Sequence, residues 1–433
     1  MTEVVELLRE LIRFDTTNPP GNEGACIAHV QRLLDDAGVE TRIVAKDGAR
    51  PNLVARVRGA GEAPPLLLHG HVDVVTTAGQ EWTHPPFGGE LVDGWVWGRG
   101  ALDMKGGVAM ILDAFVRAAR GELRPRGDVV LAVLSDEENG GDFGARFLTE
   151  EHAGLFEGVR HALGEFGGAS VAIGGVRFYP IQVAEKQMCW MRGRVRGPGG
   201  HGALGVRGSA MGKTGRILAR LDSGRLPVHV TPVARAQIEG MAAELPQPRS
   251  LVLRSLLDPR LAEVTLRAPI PQLRILDRIL RNTVSATIVH GGSKINVIPS
   301  EIDLELDGRL LPGYEPADII GELHALVGDE LELEVVRHDP YPAQPDMSQL
   351  PALSAVLREL DPEAVPVPLL QAGVTDGRFF AAIGIQTYGF LPLRLPDGFE
   401  FTKLVHAADE RVPADAIRFG ATAVGRVLET YRT

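Results

Sequence analysis

Residues 66–73 read LLLHGHVD, an apolar run that ends in His71 and Asp73. A second run, at 129–134, reads VVLAVL and is apolar throughout. Strands that are buried on both faces of a parallel sheet have this composition. Between the two runs, apolar residues recur at positions 108, 112, 115 and 119, which is the spacing of a helix. The order strand, helix, strand predicts an α/β fold in which helices flank a mixed, mostly parallel sheet.

The pattern changes near residue 188, where apolar and charged residues begin to alternate. Residues 191–196 read MRGRVR, and residues 301–307 read EIDLELD. This alternation is typical of antiparallel strands with one exposed face. Opposite charges on neighbouring strands predict ion pairs across that face. A further strand pattern and two helical patterns complete a β-α-β-β-α-β order, at 284–288, 210–221 and 319–327.

These patterns predict that one domain is inserted into another. We expect a first domain formed by residues 1–187 and 339–433, interrupted by an α+β domain at 188–338. The 433 residues suffice for two or three domains of about 150 residues each. Within the insert, residues 224–270 form an extra segment of prolines and short helical pieces, for which the sequence suggests no function.

The composition excludes several classes of function. Lysine and arginine number 45 against 56 aspartate and glutamate, and the formal charge of −11 argues against nucleic acid or an anionic membrane as a partner. No apolar run approaches the roughly 20 residues that span a bilayer, and the charged N-terminal pattern is unlike a signal peptide, so we expect a cytoplasmic protein. Only two cysteines occur, Cys26 and Cys189, which excludes a zinc site built on thiolates.

Acidic residues follow the predicted strands at regular intervals. His71 is followed by Asp103, by the pair Glu137 and Glu138, and by Glu165. The steps from 71 to 103, 138 and 165 are 32, 35 and 27 residues, each close to the length of one βαβ unit. Ligands of open α/β sheets gather at the carboxyl ends of the strands, so we expect these side chains at one rim of the sheet.

The composition of this rim predicts a metal site. One imidazole with several carboxylates and no sulfur suits Zn²⁺, Mn²⁺ or Co²⁺, and a bridging carboxylate suits two ions. Zinc is the first choice, and a second imidazole is expected. The best candidate is His406, which lies 241 residues after Glu165, a separation that an inserted domain explains.

These motifs together resemble the M20 metallopeptidase family, which includes aminoacylases, glutamate carboxypeptidases, succinyl-diaminopimelate desuccinylases and acetylornithine deacetylases. The resemblance covers essentially the whole chain. Residues 82–89 (WTHPPFGG) and 97–106 (WGRGALDMKG) are especially similar to the carboxypeptidase S branch. The family implies a catalytic domain of the zinc-exopeptidase type with an inserted lid and dimerisation domain.

The resemblance implies five metal ligands at the rim. His71 is expected to bind one zinc ion, Glu138 the other, and Asp103 both. Glu165 and His406 are the remaining ligands, one on each ion.

Two neighbouring carboxylates receive other roles. The family implies that Asp73 orients His71 and that Glu137 is the general base. An aspartate two residues after a histidine commonly fixes the imidazole tautomer. Adjacent residues at a strand end point in different directions, so Glu138 can face a metal while Glu137 faces the attacking water. A carboxylate within hydrogen-bond reach of that water can take its proton and pass it to the leaving amine.

The inserted domain carries a further family motif, GPGGHG at 197–202. In the family its histidine, His201 in this chain, polarises the scissile carbonyl, often across a dimer interface, which implies a homodimer. The same residues match Gly-x-Gly-x-x-Gly, but the preceding strand alternates with arginines and is not a buried strand, which disfavours nucleotide binding. Five more residues resemble substrate-binding positions: Asn296, Arg309, Thr375, Asp376 and Arg378.

The predicted function is a dinuclear zinc hydrolase that cleaves the amide bond of a peptide or an N-acyl amino acid. A carboxypeptidase, a dipeptidase and an acyl-amino-acid deacylase all remain open, because a substrate carboxylate bound by arginine fits each of them. The alternative is a catalytically silent member of the family that serves as a binding or scaffold protein. The presence of Glu137 argues against this alternative, since loss of the base is a simple route to an inactive relative.

Overall fold

A computed structural model describes residues 3–270 and 273–432 of the chain. Its strands are, in chain order, β1 (Thr41–Val44), β2 (Asn52–Val57), β3 (Leu66–His71), β4 (Glu90–Val92), β5 (Trp95–Trp97), β6 (Val129–Leu134), β7 (His161–Gly164), β8 (Val171–Ile173), β9 (Val176–Glu185), β10 (Gln187–Arg196), β11 (Gly200–His201), β12 (Thr283–His290), β13 (Val297–Ile298), β14 (Glu301–Leu310), β15 (Leu331–Asp339), β16 (Ala364–Gln371), β17 (Gln386–Gly389) and β18 (Arg411–Pro413). Its α-helices are α1 (Val4–Ile12), α2 (Gly24–Asp35), α3 (Lys105–Ala119), α4 (Ala145–Glu151), α5 (Ala210–Ser223), α6 (Pro232–Glu244), α7 (Arg249–Ser255), α8 (Pro259–Thr265), α9 (Leu273–Ile279), α10 (Pro316–Val327), α11 (Leu350–Leu360), α12 (Gly377–Ala382), α13 (Phe401–Leu404) and α14 (Ala414–Thr430).

The main sheet has the strand order β1-β2-β6-β3-β7-β17-β9-β16, and β8 pairs with β9. At its centre β3 is parallel to both β6 and β7, so the carboxyl ends of these three strands meet at one edge. Every residue of β3 and β6 is buried, as their continuous apolar sequence predicts. The predicted α/β class is confirmed.

Helices cover both faces of this sheet. Helix α3 packs between α1 and α14 on one face, and its residues Val108, Leu112 and Phe115 are fully buried. Burial of each such side chain contributes about 1.5–3 kcal/mol to folding. On the other face, Phe147 of α4 and Phe380 of α12 pack against residues of β3 and β6.

The second sheet has the order β12-β14-β10-β15, and all of its pairs are antiparallel. Helices α5 and α10 pack against it, which confirms the predicted β-α-β-β-α-β order. The exposed face carries the expected ion pairs: Arg194 lies 2.9 Å from Asp303, and Arg196 lies 3.1 Å from Glu301. The domain boundaries at 188 and 338 stay a prediction.

The extra segment at 224–270 contains helices α6, α7 and α8, and α9 follows it. The segment contacts both the main sheet and helix α10. Helix α6 packs against β16, the last strand of the main sheet, where Gln237 Oε1 accepts a hydrogen bond from the Leu370 amide over 3.1 Å. This side chain supplies a partner to an edge-strand amide that no neighbouring strand reaches. On the other side, His229 and Asn282 hydrogen-bond the Glu322 carboxylate of α10.

Among the described residues, every helix is too short or too polar to cross a lipid bilayer.

Candidate metal centre

The rim of the main sheet brings together residues from distant parts of the chain. His71 is the last residue of β3, Glu137 and Glu138 begin a short 3₁₀ turn after β6, and Glu165 directly follows β7. Asp103 was expected to follow a strand of this sheet, and this is wrong. The strand before it, β5, belongs to a separate small sheet with β4 and β18, and Asp103 stands two residues before α3. His406 reaches the same place from the loop between α13 and β18.

Two groups of ligand atoms share the Asp103 carboxylate. In one group, His71 Nε2 lies 3.3 Å from Asp103 Oδ1 and 3.4 Å from Glu165 Oε2. In the other, His406 Nε2 lies 3.0 Å from Asp103 Oδ2 and 3.2 Å from Glu138 Oε1. Asp103 therefore directs one oxygen toward each imidazole, which is the arrangement of a bridging ligand between two ions.

Several of these atoms are buried without a hydrogen-bond partner in the described chain: His71 Nε2, Glu138 Oε1 and both carboxylate oxygens of Glu165. Buried polar atoms in folded proteins nearly always have a partner, so such a concentration needs an explanation. Imidazole nitrogens and carboxylate oxygens are the donors that zinc accepts. Two overlapping sets of these atoms are close enough to hold an ion, His71 with Asp103 and Glu138, and His71 with Glu137 and Glu165. The residues fit a pair of divalent cations.

Glu137 stands beside the first group. Its Oε2 atom lies 3.9 Å from His71 Nε2, and its side chain is nearly buried. Burial, together with the neighbouring Glu165 carboxylate, raises the pKa of Glu137 well above its usual range. A carboxylate in this environment holds a proton readily once it has accepted one.

Asp73 holds the turn that carries both glutamates. Its carboxylate accepts hydrogen bonds from the backbone amides of Glu137 and Glu138, each over 3.1 Å. The expected contact with His71 is made chiefly by the Asp73 carbonyl oxygen, 3.0 Å from Nδ1, while the carboxylate oxygen stands at 3.4 Å. Asp73 is therefore in position to orient both the imidazole and the turn that carries Glu137 and Glu138.

The predicted substrate residues Thr375 and Asp376 are buried in the segment after β16. Neither carboxylate oxygen of Asp376 has a hydrogen-bond partner within the described residues, and burial raises the pKa of Asp376 to about 7. Asp376 lies against Gly141, three residues beyond Glu138, which brings it to the edge of the centre. Thr375 Oγ1 donates to Glu185 Oε2 over 2.7 Å, so it anchors this segment to the end of β9.

Arg378 is also buried, and its donors are engaged by the protein itself. It donates to Asp339 Oδ2 over 3.3 Å and to the carbonyl oxygens of Thr375 and Gly140 over 2.6 and 3.2 Å. Arg337 of β15 donates to the same Gly140 carbonyl over 3.1 Å. These contacts hold the end of the turn that carries Glu137 and Glu138, and a substrate role for Arg378 stays a prediction.

The predicted residues of the insert lie apart from this centre. His201 and Asn296 are exposed, and their segments meet where β11 pairs with β13 and the Gly202 amide donates to the Asn296 carbonyl over 2.9 Å. Arg309 lies on β14 and makes two hydrogen bonds to Asp307. Within the described ranges, none of the three side chains hydrogen-bonds a residue of the metal centre.

A family model described as peptidase family M20/M25/M40 matches residues 67–430. The chain belongs to this family. The match includes the five proposed metal ligands and Glu137. The chain is accordingly a metal-dependent hydrolase of the amidohydrolase and exopeptidase type, as the sequence predicts.

Curated relatives of this M20 chain carry several activities in their names. A probable carboxypeptidase S-like protein of Dictyostelium discoideum is 29% identical over 84% of this chain and 71% of its own. A succinyl-diaminopimelate desuccinylase of Cereibacter sphaeroides is 27% identical over 99% of both chains. A human N-fatty-acyl-amino acid synthase/hydrolase is 26% identical over 81% of this chain and 71% of its own.

Solved structures of M20 peptidases share the fold. A metallo-carboxypeptidase from Sulfolobus solfataricus aligns with a TM-score of 0.68 at 18% identity, over 100% of this chain and 99% of its own. A dinuclear metal-binding peptidase from Bacillus subtilis aligns with a TM-score of 0.60 at 16% identity, over 99% and 98%.

The sequence interpretation of this M20 chain missed a buried network behind Asp73. Asn18 Nδ2 donates to Asp73 Oδ2 over 2.8 Å and to Asp136 Oδ1 over 3.1 Å. Arg50 lies between Asp136 and Glu23, at 2.8 and 2.6 Å. The sequence held one signal for this network. Asp136, Glu137 and the ligand Glu138 are three successive acids at a strand end, and such a cluster needs a nearby cation or hydrogen-bond donor.

Metal binding by this M20 chain should release protons. A hydrogen bond to Asp103 and the nearby Glu138 carboxylate raise the pKa of His406 to about 10, and burial raises the pKa of Glu165 to about 8. Both groups therefore carry a proton at pH 7 in the metal-free site, and both must lose it to bind a cation. The same holds for His71, where the effect of burial is outweighed by the Glu165, Asp103 and Asp73 carboxylates, which raise the pKa of the imidazole well above its usual range. We expect several protons to be released at pH 7 and fewer at pH 9, where Glu165 is already ionised.

Titration calorimetry with Zn²⁺ in buffers of different ionisation enthalpy measures this number. Affinity should rise with pH across the same window, because fewer protons compete with the metal. Binding without proton release at pH 7 would contradict the assignment of both ligands.

Proposed function

We propose that this chain is a dinuclear zinc hydrolase that cleaves the amide bond of a peptide or an N-acyl amino acid. The observation that carries the proposal is the Asp103 carboxylate, whose two oxygens face His71 and His406 separately, at 3.3 and 3.0 Å. A single ion needs no such arrangement, whereas a pair of ions needs a shared ligand between them. Glu137, beside the same centre, supplies the base that hydrolysis requires.

One ion would be held by His71, Asp103 and Glu165, and the other by His406, Asp103 and Glu138. Zn²⁺ in such sites polarises a carbonyl oxygen and lowers the pKa of water. Co²⁺ and Mn²⁺ accept the same ligands.

The chain's own residues account for the proton transfers. Glu137 accepts a proton from the attacking water and passes it to the amine that leaves, which makes the same carboxylate base and then acid. Asp73 keeps Glu137 in place through the backbone amide of the turn. The raised pKa of Glu137 suits this role, because the group must hold the proton between the two steps.

The substrate class follows from the names of the relatives. The relatives include a carboxypeptidase-like protein, a desuccinylase and an acyl-amino-acid hydrolase, and each of these names describes an amide next to an amino-acid unit. A small peptide or acyl amino acid is the class they have in common. A silent binding protein is disfavoured, because Glu137 is retained beside the candidate ligands.

A panel of substrates tests the proposal. Zinc-loaded protein is incubated with dipeptides, with N-succinyl amino acids and with N-fatty-acyl amino acids, and released amine is measured. Turnover of at least one group, absent in the Glu137→Gln variant, supports the proposal and selects among peptidase, desuccinylase and deacylase. Saturable binding of these compounds without turnover would favour the silent binding member.

His201 is proposed to reach the scissile carbonyl from a second copy of the chain. In a single chain its imidazole is exposed, and its Nδ1 atom accepts a hydrogen bond from the nearby Ala203 amide. Strand β12 lies at the edge of its sheet, and its residues from Ser285 to His290 are exposed, including Ile288 and Val289. Exposed apolar edge strands of this kind can pair with another chain.

The His201→Ala variant should lose about 10²–10³-fold in kcat, the usual cost of removing one donor to a developing oxyanion. Metal content should stay at the wild-type level, because His201 contacts none of the proposed ligands in the described structure. Sedimentation of the active enzyme as a dimer is expected. A fully active monomer would contradict the shared site.

A further inference from the structure

The two imidazoles of the metal centre are held in different ways. His71 is buried, and its Nδ1 atom lies 3.0 Å from the Asp73 carbonyl oxygen. The His406 side chain is 48% exposed, and within the described residues only Nε2 of its ring has polar neighbours, namely Asp103 and Glu138. Metal-bound histidines usually have their second ring nitrogen fixed by a hydrogen bond. His406 therefore depends on its backbone for orientation.

The backbone around His406 is held by Gln80, from the loop between β3 and β4, and by Arg99, from the loop between β5 and α3. Gln80 Nε2 donates to the His406 carbonyl over 2.9 Å, and Gln80 Oε1 accepts from Arg99 Nη2 over 2.7 Å. Arg99 Nη1 donates to the Ala407 carbonyl over 3.2 Å. His406 has a φ of 63°, a conformation that residues other than glycine rarely adopt without such support.

Through Glu410, the Arg99 guanidinium also supports the backbone of Asp103, the bridging ligand of the same group. Arg99 Nη1 donates to Glu410 Oε2 over 2.7 Å, and Glu410 Oε1 accepts the amides of Leu102 and Asp103 over 2.7 and 3.1 Å. Arg99 and Glu410 are both fully buried. The network thus joins the bridging aspartate to a histidine that lies 303 residues away.

We propose that Gln80 is a positioning residue for the metal site formed by His406, Asp103 and Glu138. Its amide links the His406 backbone to the buried Arg99 and Glu410 pair, and this link fixes the distance between His406 and the carboxylates. The site formed by His71, Asp103 and Glu165 has its own support from Asp73 and does not use Gln80. The inference rests on the proposed function, because it assumes that both sites bind metal.

The test is the Gln80→Leu variant, which keeps the size of the side chain and removes both hydrogen bonds. Metal-free protein is titrated with Co²⁺ alone, and binding is followed by calorimetry and visible absorption. We expect wild type to bind two ions, and the variant to bind one of them about 10–100-fold more weakly while the other is unchanged. At limiting free Co²⁺ the variant should then hold close to one ion per chain.

Two further variants separate positioning from general loosening of the loops. Thr83→Val is the matched control, because Thr83 Oγ1 donates to Asp409 in the same pair of loops and, among the described residues, hydrogen-bonds neither His406 nor Arg99. It should bind both ions as wild type does. Gln80→Glu keeps an acceptor for Arg99 and lacks the donor to His406, so it should resemble Gln80→Leu.

Each outcome has a distinct meaning. Unchanged binding in Gln80→Leu, equal weakening of both ions, or weakening by Thr83→Val as well would overturn the positioning role. Wild type that binds no ion, or only one, would overturn the dinuclear function itself. Circular dichroism and the melting temperature identify any variant that fails to fold. If Gln80→Leu fails to fold, the metal titration of Gln80→Glu tests the same hydrogen bond to His406.

Discussion

Replacement of Glu137 by glutamine should reduce kcat by about 10³-fold or more while both metal sites remain occupied. The amide has nearly the shape of the carboxylate but cannot accept the proton of the attacking water. Glu137 is not needed by either proposed ligand group, because His71, Asp103 and Glu165 complete the nearer one. The loss therefore belongs to the chemical step, and KM should change little.

Metal analysis of the purified variant and steady-state kinetics on the best substrate make this measurement. The control is Asn139→Ala, an exposed residue in the same turn, which should keep wild-type rates. A Glu137→Gln variant with more than a tenth of the wild-type activity would show that another group is the base. Loss of metal in this variant would instead make Glu137 a ligand.

Removal of metal should abolish activity and lower the melting temperature. Without cations, buried polar atoms of His71, Glu138 and Glu165 have no hydrogen-bond partner among the described residues, and leaving such atoms buried and unpaired lowers stability. An ion present at 1,000 times its Kd stabilises the folded state by about 4 kcal/mol. Chelation followed by calorimetry should show this shift, and added Zn²⁺ should restore both stability and turnover.

Two variants test the metal ligands by mutation. Asp103→Ala should lose both ions, because its two oxygens serve both groups, whereas Glu165→Gln should lose only one. Full activity after exhaustive chelation would contradict metal-dependent hydrolysis by this chain. Equal metal loss in the two variants would contradict the bridging role of Asp103.

The residues at the ends of β3, β6 and β7 could be predicted because short-range patterns encode them. Continuous apolar runs mark strands buried on both faces, and the residue that follows each run must lie at the same sheet edge. His71, Glu137 and Glu165 were found in this way. Asp103 was found by spacing and motif, but its position before α3 shows that the strand-end argument did not apply to it.

The supporting network could not be predicted by the same means. Arg99 and Glu410 are 311 residues apart, and neither shows any periodicity that would indicate burial. A buried ion pair is visible in sequence only as two charges beside ligand motifs, which is also the appearance of an exposed loop. The packing of α6 on β16 was missed for a related reason, since short helices separated by prolines give no sign of the surface they cover.

Helices α6–α9 have a thermodynamic consequence for the whole molecule. Val233 and Ile238 of α6 belong to the same buried core as the main sheet, and His229 hydrogen-bonds Glu322 of α10, which packs against the other sheet. An inserted domain joined only by two linkers can unfold on its own. Because the extra segment shares apolar burial with the main sheet and a hydrogen bond with α10, we expect the two sheets to unfold as one cooperative unit. Such coupling would protect His406, which follows the proposed insert in the chain, from local opening of that insert.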